Sequence, residues 1–127
     1  MMERSANVCA GIVAFNPDIN RLSDVIYAIC GQVKELLLID NGSDNREDIV
    51  RVCKGFEKIV LITNNENEGI AKALNQICHY GDENGFKWIL TLDQDTVCPK
   101  NLVEDLYGHT NINNIGIVCP AVHYMGR

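Results

Sequence analysis

Hydrophobic residues in the first part of the chain form one continuous run and then a periodic segment. Residues 8–15 are almost entirely apolar, and apolar residues recur at helical spacing between residues 19 and 30. Continuous runs of this length are typical of strands buried on both faces, and spacings of three and four are typical of helices packed on a sheet. The pattern predicts a strand and then a helix, with Asn16 as its cap and Pro17 at its first position.

The same alternation continues along the rest of the chain. The predicted strands are residues 8–15, 35–40, 58–63, 86–92 and 115–122, and a helix follows each of the first four. Strands that alternate with helices form parallel sheets with right-handed crossovers. The sequence therefore predicts one domain of the α/β class over residues 1–127, with three α/β/α layers and a mostly parallel sheet. Because a doubly wound sheet usually has further elements after a fifth strand, we expect a truncated form of such a domain.

Charge and hydropathy exclude several classes of partner. The chain has a net charge of -6, so its overall field does not attract nucleic acid, and an anionic ligand needs a local metal ion or backbone amides. No apolar run reaches the length of a membrane span, and the start of the chain lacks the apolar core of a signal peptide. We expect a cytoplasmic protein. An intact enzyme that contains this chain could act at the inner face of the membrane.

The six cysteines are predicted to be reduced thiols in the core. They are Cys9, Cys30, Cys53, Cys78, Cys98 and Cys119. None forms a CxxC pair, and each falls singly in a different part of the pattern. Cysteines in such positions are commonly small buried hydrophobic residues. A disulfide framework or a metal cluster is the less favoured interpretation.

Polar residues follow each of the first four predicted strands. They are Asn16, residues 40–43, residues 64–69 and residues 93–96. In an open parallel sheet, ligands bind at the carboxyl ends of the strands. Asn, Asp and Gly are also good turn formers, so a purely structural interpretation of the set stays open. The repetition at four strand ends nevertheless favours a binding edge.

Two carboxylates leave the fourth predicted strand together. Asp93 and Asp95 flank Gln94 directly after an apolar run, and alternate residues of an extended chain point to the same side. Oxygen ligands suit Mg²⁺ or Mn²⁺, and such a pair can instead hold a diol. An apolar strand that runs into two acids cannot leave them unpaired in the core. The two carboxylates must therefore meet solvent, a cation or strong hydrogen-bond donors, and a divalent cation site at this turn is one of these alternatives.

Several segments together resemble the glycosyltransferases of family 2, which have the GT-A fold. The resemblance is greatest to the branch of rhamnosyltransferases, and it extends from about Asn7 to Val122. It rests on these segments: Ala14-Phe15-Asn16, Leu38-Ile39-Asp40-Asn41-Gly42-Ser43, residues 64–75, and Trp88-Ile89-Leu90-Thr91-Leu92-Asp93-Gln94-Asp95-Thr96. The resemblance implies the donor-nucleotide-binding part of an inverting enzyme. The implied partners are a dTDP- or UDP-linked sugar, such as dTDP-rhamnose, and a saccharide or lipid-linked acceptor in polysaccharide synthesis.

The resemblance also implies roles for individual residues. Asp40 would accept a hydrogen bond from the imide N–H of uracil or thymine. Asp93 would hold the ribose or the cation, and Asp95 would bind the Mg²⁺ or Mn²⁺ that bridges the diphosphate. The remaining residues that would line the nucleotide pocket are Phe15, Asn16, Asn41, Asn64, Asn67 and Gly69. Asn75 matches a further asparagine of the family, for which a structural role stays open. For Asn67, a role as a helix cap stays open.

The chain departs from the family pattern in two ways. Leu74 stands where family members often have an arginine, and Lys72 is the nearest cation. The catalytic aspartate of the family has no equivalent, so no residue here is assigned as the catalytic base. We expect the chain alone to transfer no sugar, and to form a homodimer through the apolar fifth strand at residues 115–122.

Three other functions fit parts of the sequence. A phosphatase or phosphotransferase of the haloacid dehalogenase type would use Asp93 as nucleophile and Asp95 as acid and base, because Asp-x-Asp-x-Thr is also its signature. That family needs the motif near the chain start, however. A dinucleotide-binding oxidoreductase would need a G-x-G-x-x-G motif after the first strand. This chain has no such motif there. A nucleotide-binding or interaction domain without catalysis is the third alternative.

Overall fold

The computed structural model of the protein describes residues 8–108. Its elements in chain order are β1 (Val8–Ala14), α1 (Ile19–Cys30), β2 (Glu35–Asn41), α2 (Arg46–Cys53), β3 (Ile59–Asn64), α3 (Ile70–Glu83), β4 (Trp88–Leu92) and α4 (Leu102–Tyr107). The predicted alternation of strands and helices is confirmed, and the strand ends lie within two residues of the predicted ones. The fifth strand predicted at residues 115–122, and the dimer expected through it, lie outside the described residues and stay predictions.

The four described strands form one sheet in the order β3-β2-β1-β4, and every pairing is parallel. In this register Ala14 lies beside Asp40, and Asp40 lies beside Thr63. Because all strands run the same way, their carboxyl ends share one edge of the sheet. The polar residues that follow the strands are therefore neighbours in space.

Helices cover both faces of the sheet and give the three predicted layers. On one face the sheet packs against α1, α2 and the start of α4, with Ile26 and Leu38 among the fully buried residues. On the other face it packs against α3, through Ile39 and Ile77. Consecutive strand residues alternate between these two faces. Two apolar cores therefore enclose the sheet, and the α/β class with a parallel sheet is confirmed.

The helix cap predicted at Asn16 is wrong. Helix α1 begins two residues after Pro17, at Ile19, and Asp18 caps it by accepting a 3.1 Å hydrogen bond from the backbone N–H of Arg21. Asn16 has a φ of 47°, in the left-handed region that asparagine tolerates better than most residues. Its side chain is used elsewhere, because Oδ1 accepts a 2.7 Å hydrogen bond from the backbone N–H of Asp44.

The five cysteines among the described residues are all free thiols, and all but Cys78 are buried. Burial raises the pKa of the Cys9 and Cys53 thiols to about 11. This agrees with the interpretation of core thiols, and Cys119 lies outside the described residues. None of the helices within residues 8–108 has the length and apolar character needed to cross a lipid bilayer.

Candidate functional site

The carboxyl-terminal edge of the sheet carries a cleft of about 470 Å³ on the side covered by α3. One wall is apolar and comes from the end of β1 and the first turns of α3. The other wall comes from the end of β4 and the turn that follows it. The lining residues are Val13, Ile70, Leu74, Thr91, Leu92, Asp93, Gln94 and Asp95.

Asp93 and Asp95 are exposed side chains at this cleft, as the sequence predicted. Neither carboxylate forms an ion pair within residues 8–108. In that part of the chain, no three His, Cys, Asp or Glu side chains are grouped so as to hold a metal ion. Two carboxylates nevertheless fit Mg²⁺, which usually keeps several waters and takes one or two protein carboxylates with the phosphates of a substrate. Asp93 and Asp95 are thus suitable for a cation that arrives with a diphosphate.

Two side chains from other elements fix the turn that carries these carboxylates. Gln94 Oε1 accepts a 2.8 Å hydrogen bond from the Phe15 N–H, and Gln94 Nε2 donates a 3.3 Å hydrogen bond to the Phe15 carbonyl. From α1, Arg21 Nε donates a 2.8 Å hydrogen bond to the Asp95 carbonyl. The turn is therefore held through amide and carbonyl groups, and both carboxylates stay available to a ligand.

The structure brings four predicted site residues together in one hydrogen-bonded network. Asn41 Nδ2 donates to Asn67 Oδ1 at 3.1 Å and to the Gly69 carbonyl at 3.2 Å. Asn41 Oδ1 accepts from Asn64 Nδ2 and from the Glu68 N–H, both at 3.1 Å. An asparagine side chain has two donor hydrogens and two acceptor lone pairs, so the capacity of Asn41 is fully used. This network fixes the loop before α3, and its amides are engaged with each other.

Asn64 and Asn67 are engaged in the same way. The Asn64 and Gln76 carboxamides exchange two hydrogen bonds of 3.0 Å. Asn67 Oδ1 also accepts a 2.8 Å hydrogen bond from the Gly69 N–H, directly before α3. The helix-cap role that stayed open for Asn67 is wrong, because Gly69 holds the cap position of α3 and no side chain caps that helix.

Asp40 lies on the opposite face of the sheet from the cleft. Its side chain is wholly buried, and Oδ1 accepts a 3.0 Å hydrogen bond from the Ser43 N–H. Oδ2 has no hydrogen bond within the described part of the chain, and Arg46 Nε lies 3.6 Å from it. The structure therefore does not bring Asp40 to the cleft beside Asp93 and Asp95. Its contacts are those of a residue that fixes the turn after β2.

Phe15 and Asn16 lie where β1 ends. The Phe15 side chain is 43% exposed, and its backbone is bound by Gln94, next to the two carboxylates. Asn16 joins the first two strand ends, since its backbone N–H donates to Ser43 Oγ at 2.9 Å. Phe15 thus offers a partly exposed aromatic side chain at the end of β1, and Asn16 positions the segment that carries it.

Gly42 makes the turn after β2 possible. Its φ is +85°, and a Cβ at this position would lie 2.5 Å from the Glu66 carbonyl carbon and 2.6 Å from the Asn67 nitrogen. Real Cβ atoms do not approach backbone atoms so closely, and left-handed backbone favours glycine. The turn after β2 and the loop before α3 are therefore in direct backbone contact.

Lys72 and Asn75 of α3, which the family resemblance brought into question as contacts of the sugar donor, do not line the cleft. Lys72 forms an ion pair with Glu68, and this interaction raises the pKa of its ammonium group. Asn75 is exposed on α3 and does not line the cleft. Lys72 is therefore already paired with an acid, and the structure gives Asn75 no contact with the site.

Sequence reasoning missed the apolar wall and the two residues that hold the acidic turn. Val13 and Ile70 belong to runs that read as ordinary core, and no sequence pattern marks them as cleft residues. Gln94 was noted only as the residue between two acids. In an extended segment, the Gln94 side chain is expected to point away from the side of Asp93 and Asp95. Its hydrogen-bond partner Phe15 is 79 residues away in sequence, so no local pattern indicates the contact.

Comparison with known proteins agrees with this geometry. The family model described as glycosyl transferase family 2 matches residues 9–126. The dTDP-rhamnosyl transferase RfbF of Shigella flexneri is 31% identical over 122 residues, which cover 92% of this chain and 39% of that relative. The chain therefore spans about two fifths of the length of that relative. With a family match over nearly all of its residues and a parallel α/β sheet that ends in an acidic cleft, the chain belongs to glycosyl transferase family 2.

Proposed function

We propose that the chain is the donor-binding part of an inverting glycosyltransferase that takes a nucleoside-diphosphate sugar. The observation that carries this proposal is the pair of exposed carboxylates, Asp93 and Asp95, at a cleft in a member of this family. A diphosphate leaving group carries negative charge in a chain that is itself acidic. Asp93 and Asp95 would hold a divalent cation, which would neutralise that charge when bound.

We propose Mg²⁺ or Mn²⁺ as the cation, with Asp93 and Asp95 as its protein ligands. The hydrogen bonds of Gln94 and Arg21 support this role, because they fix the turn without engaging either carboxylate. We propose that Asp93 also accepts a hydrogen bond from a ribose hydroxyl, and its position in the cleft lining supports this role. The Asp-Gln-Asp turn follows the fourth strand, and the family match favours this use of it over an aspartyl phosphatase.

The apolar wall of the cleft supports a donor that carries methyl groups. Val13, Ile70 and Leu74 present hydrocarbon to the cleft, and Ile70 is 61% exposed. Thymine has a methyl group that uracil lacks, and a 6-deoxy sugar such as rhamnose has a methyl group where a hexose has a hydroxymethyl group. Burial of one methyl group contributes about 0.8 kcal/mol, or roughly fourfold in affinity. We therefore propose dTDP-rhamnose ahead of UDP-linked hexoses, and the relative named for a dTDP-rhamnosyl donor supports this choice.

The base is proposed to lie against the exposed ring of Phe15 at the end of β1. Stacking of a base on an aromatic side chain contributes about 1–3 kcal/mol. For Asp40, the buried carboxylate supports an anchoring role better than direct recognition of the imide. The saccharide or lipid-linked acceptor, and the place of the reaction in polysaccharide synthesis at the inner membrane face, are proposed from the family alone.

Titration calorimetry of the purified chain with dTDP, UDP and GDP tests this function. We expect dTDP to bind in Mn²⁺, to lose most of its affinity in EDTA, and to bind about fourfold more tightly than UDP. GDP should bind less tightly than dTDP, since guanine has no methyl group to contact the apolar wall. Equal binding of all three nucleotides, or binding unaffected by EDTA, would contradict the proposal.

A further inference from the structure

Gln94 continues the pairing of β1 and β4 beyond the end of the ladder. The backbone pairing of the two strands ends at Ile12 and Leu92. Two residues after the end of β4, the Gln94 side chain accepts a hydrogen bond from the N–H of Phe15 and donates one to its carbonyl. A carboxamide has the same donor and acceptor as a peptide group. The Gln94 carboxamide therefore takes the place of a backbone peptide group and binds Phe15 as a neighbouring strand would.

We infer that Gln94 is a positioning residue that couples the cation carboxylates to the aromatic residue proposed to hold the base. Asp93 and Asp95 are its direct neighbours in sequence, and Phe15 is its hydrogen-bond partner. A shift of the acidic turn on cation binding is thus transmitted to the Phe15 backbone. This inference rests on the proposed function for the assignment of Phe15 to the base, and on contacts alone for the coupling.

The chemistry of the side chain explains why an amide suits this position. A glutamate at position 94 keeps an acceptor for the Phe15 N–H but places a carboxylate against the Phe15 carbonyl. It also adds a third acid between Asp93 and Asp95, where like charges repel. Arg21 does not compensate, because it is bonded to the Asp95 carbonyl and forms no ion pair with an acid of the described chain. The neutral carboxamide thus fixes both segments without changing the charge of the cation site.

A cation titration without nucleotide tests the coupling. Amide resonances of the ¹⁵N-labelled chain are followed during addition of Mg²⁺ to the parent, to Gln94→Met and to Gln32→Met. Gln32 is the matched control, because it also joins two segments through its carboxamide, to the Ala28 and Pro99 carbonyls and the Val103 N–H. It is not among the cleft residues.

We expect the Phe15 and Asp95 amides of the parent to shift together, with one apparent Kd. In Gln94→Met the Asp95 shift should persist and the Phe15 shift should fall to less than about half, since a thioether replaces neither hydrogen bond. Gln32→Met should behave as the parent. An unchanged Phe15 response in Gln94→Met, or no response of Phe15 in the parent, would overturn the inference.

Binding of thymidine and dTDP provides a second readout. We expect Gln94→Met to lower the affinity for thymidine about fivefold, which corresponds to the loss of about 1 kcal/mol of hydrogen bonding. The affinity gain of dTDP on adding Mn²⁺ should shrink by a similar factor, and Gln94→Glu should show the same losses. Gln32→Met should keep both values within about twofold of the parent. If the parent bound neither ligand, the proposed function would fail, while the Mg²⁺ response of Phe15 would still decide the coupling.

Discussion

Arg46 Nε lies 3.6 Å from Oδ2 of Asp40, and the Asp40 carboxylate is wholly buried. Loss of that carboxylate removes the acceptor of the Ser43 N–H and the negative charge beside the Arg46 guanidinium. We predict that Asp40→Ala lowers the free energy of unfolding by about 2 kcal/mol, the usual cost of buried polar groups left unsatisfied. Urea unfolding followed by circular dichroism measures this change.

The milder variant Asp40→Asn separates an anchoring role from base recognition. Asparagine retains an oxygen for the Ser43 N–H and removes the negative charge. We expect dTDP to bind folded Asp40→Asn within about threefold of the parent, because the carboxylate is not part of the cleft. A loss of about tenfold or more would restore the imide-acceptor role that the family resemblance implies.

Replacement of Asp95 by asparagine should remove most of the cation dependence of dTDP binding. The variant halves the negative charge that Asp93 and Asp95 offer to a cation and keeps the shape of the turn. We expect affinity for dTDP in Mn²⁺ to fall about tenfold or more, with little change in EDTA. Asp82→Asn, an exposed acid on α3 outside the cleft, is the matched control. Parent-like affinity of Asp95→Asn in Mn²⁺ would rule out the metal role.

Thiol reactivity should follow burial. Cys78 is exposed, whereas burial raises the pKa of Cys9 and Cys53 to about 11. Because the thiolate is the nucleophile, a rise of two pKa units leaves about a hundredfold less reactive species near neutral pH. We predict that iodoacetamide labels Cys78 first, as read by peptide mass spectrometry, and labels Cys9 and Cys53 only in denaturant. Labelling of Cys9 in the native chain at the rate of Cys78 would show that this core opens readily.

Tyr80 should make stability fall in alkaline solution. Its hydroxyl donates a 2.5 Å hydrogen bond to Glu35, and this bond, aided by burial and the negative charge of Glu35, raises the pKa of Tyr80 from 10 to about 12. A raised folded-state pKa favours the neutral phenol, so the stabilisation is complete below pH 10 and is lost as the pH rises towards 12.

Unfolding measurements on Tyr80→Phe test this assignment. We expect the variant to be less stable than the parent by about 1 kcal/mol near neutral pH, and the difference to shrink above pH 10. The Cys53 thiol titrates in the same range in both proteins, and the charge of Cys9 is the smallest cause of the raised pKa of Tyr80, so the difference between the proteins reports mainly on the Glu35 contact. Tyr27→Phe, at a residue that is 79% exposed, should show no such convergence. A constant difference across the whole range would argue against the Glu35 contact.

The order of strands and helices was predictable because each apolar run and each helical period is a local property of the chain. The edge that holds the site was predictable for the same reason, since polar residues such as Asn16 and Asp93 follow strand ends directly. The strand ends differ by no more than two residues. Such small shifts depend on which residue makes the last ladder hydrogen bond, and that depends on the neighbouring strand.

The roles of individual polar residues were less predictable because they depend on contacts far apart in sequence. Strand periodicity shows that Asp40 and Asn41 point to opposite faces, but only the packing of α3 decides which face holds the cleft. Asn41 reads as a ligand contact until its four hydrogen-bonding positions are found to be occupied. The Asp18 cap replaced Asn16 because the Asn16 side chain bonds the turn after β2 instead.

The backbone contact of Gly42 with Glu66 and Asn67 changes how mutational data on this protein should be interpreted. A side chain at position 42 would push the turn after β2 away from the loop that leads into α3, and Ile70 and Leu74 at the start of that helix line the cleft. A screen for loss of donor binding would therefore select substitutions of Gly42 as strongly as substitutions of Asp95. Glycine offers no group to a ligand, so sensitivity at this position would report the spacing of two backbone segments and not a binding contact.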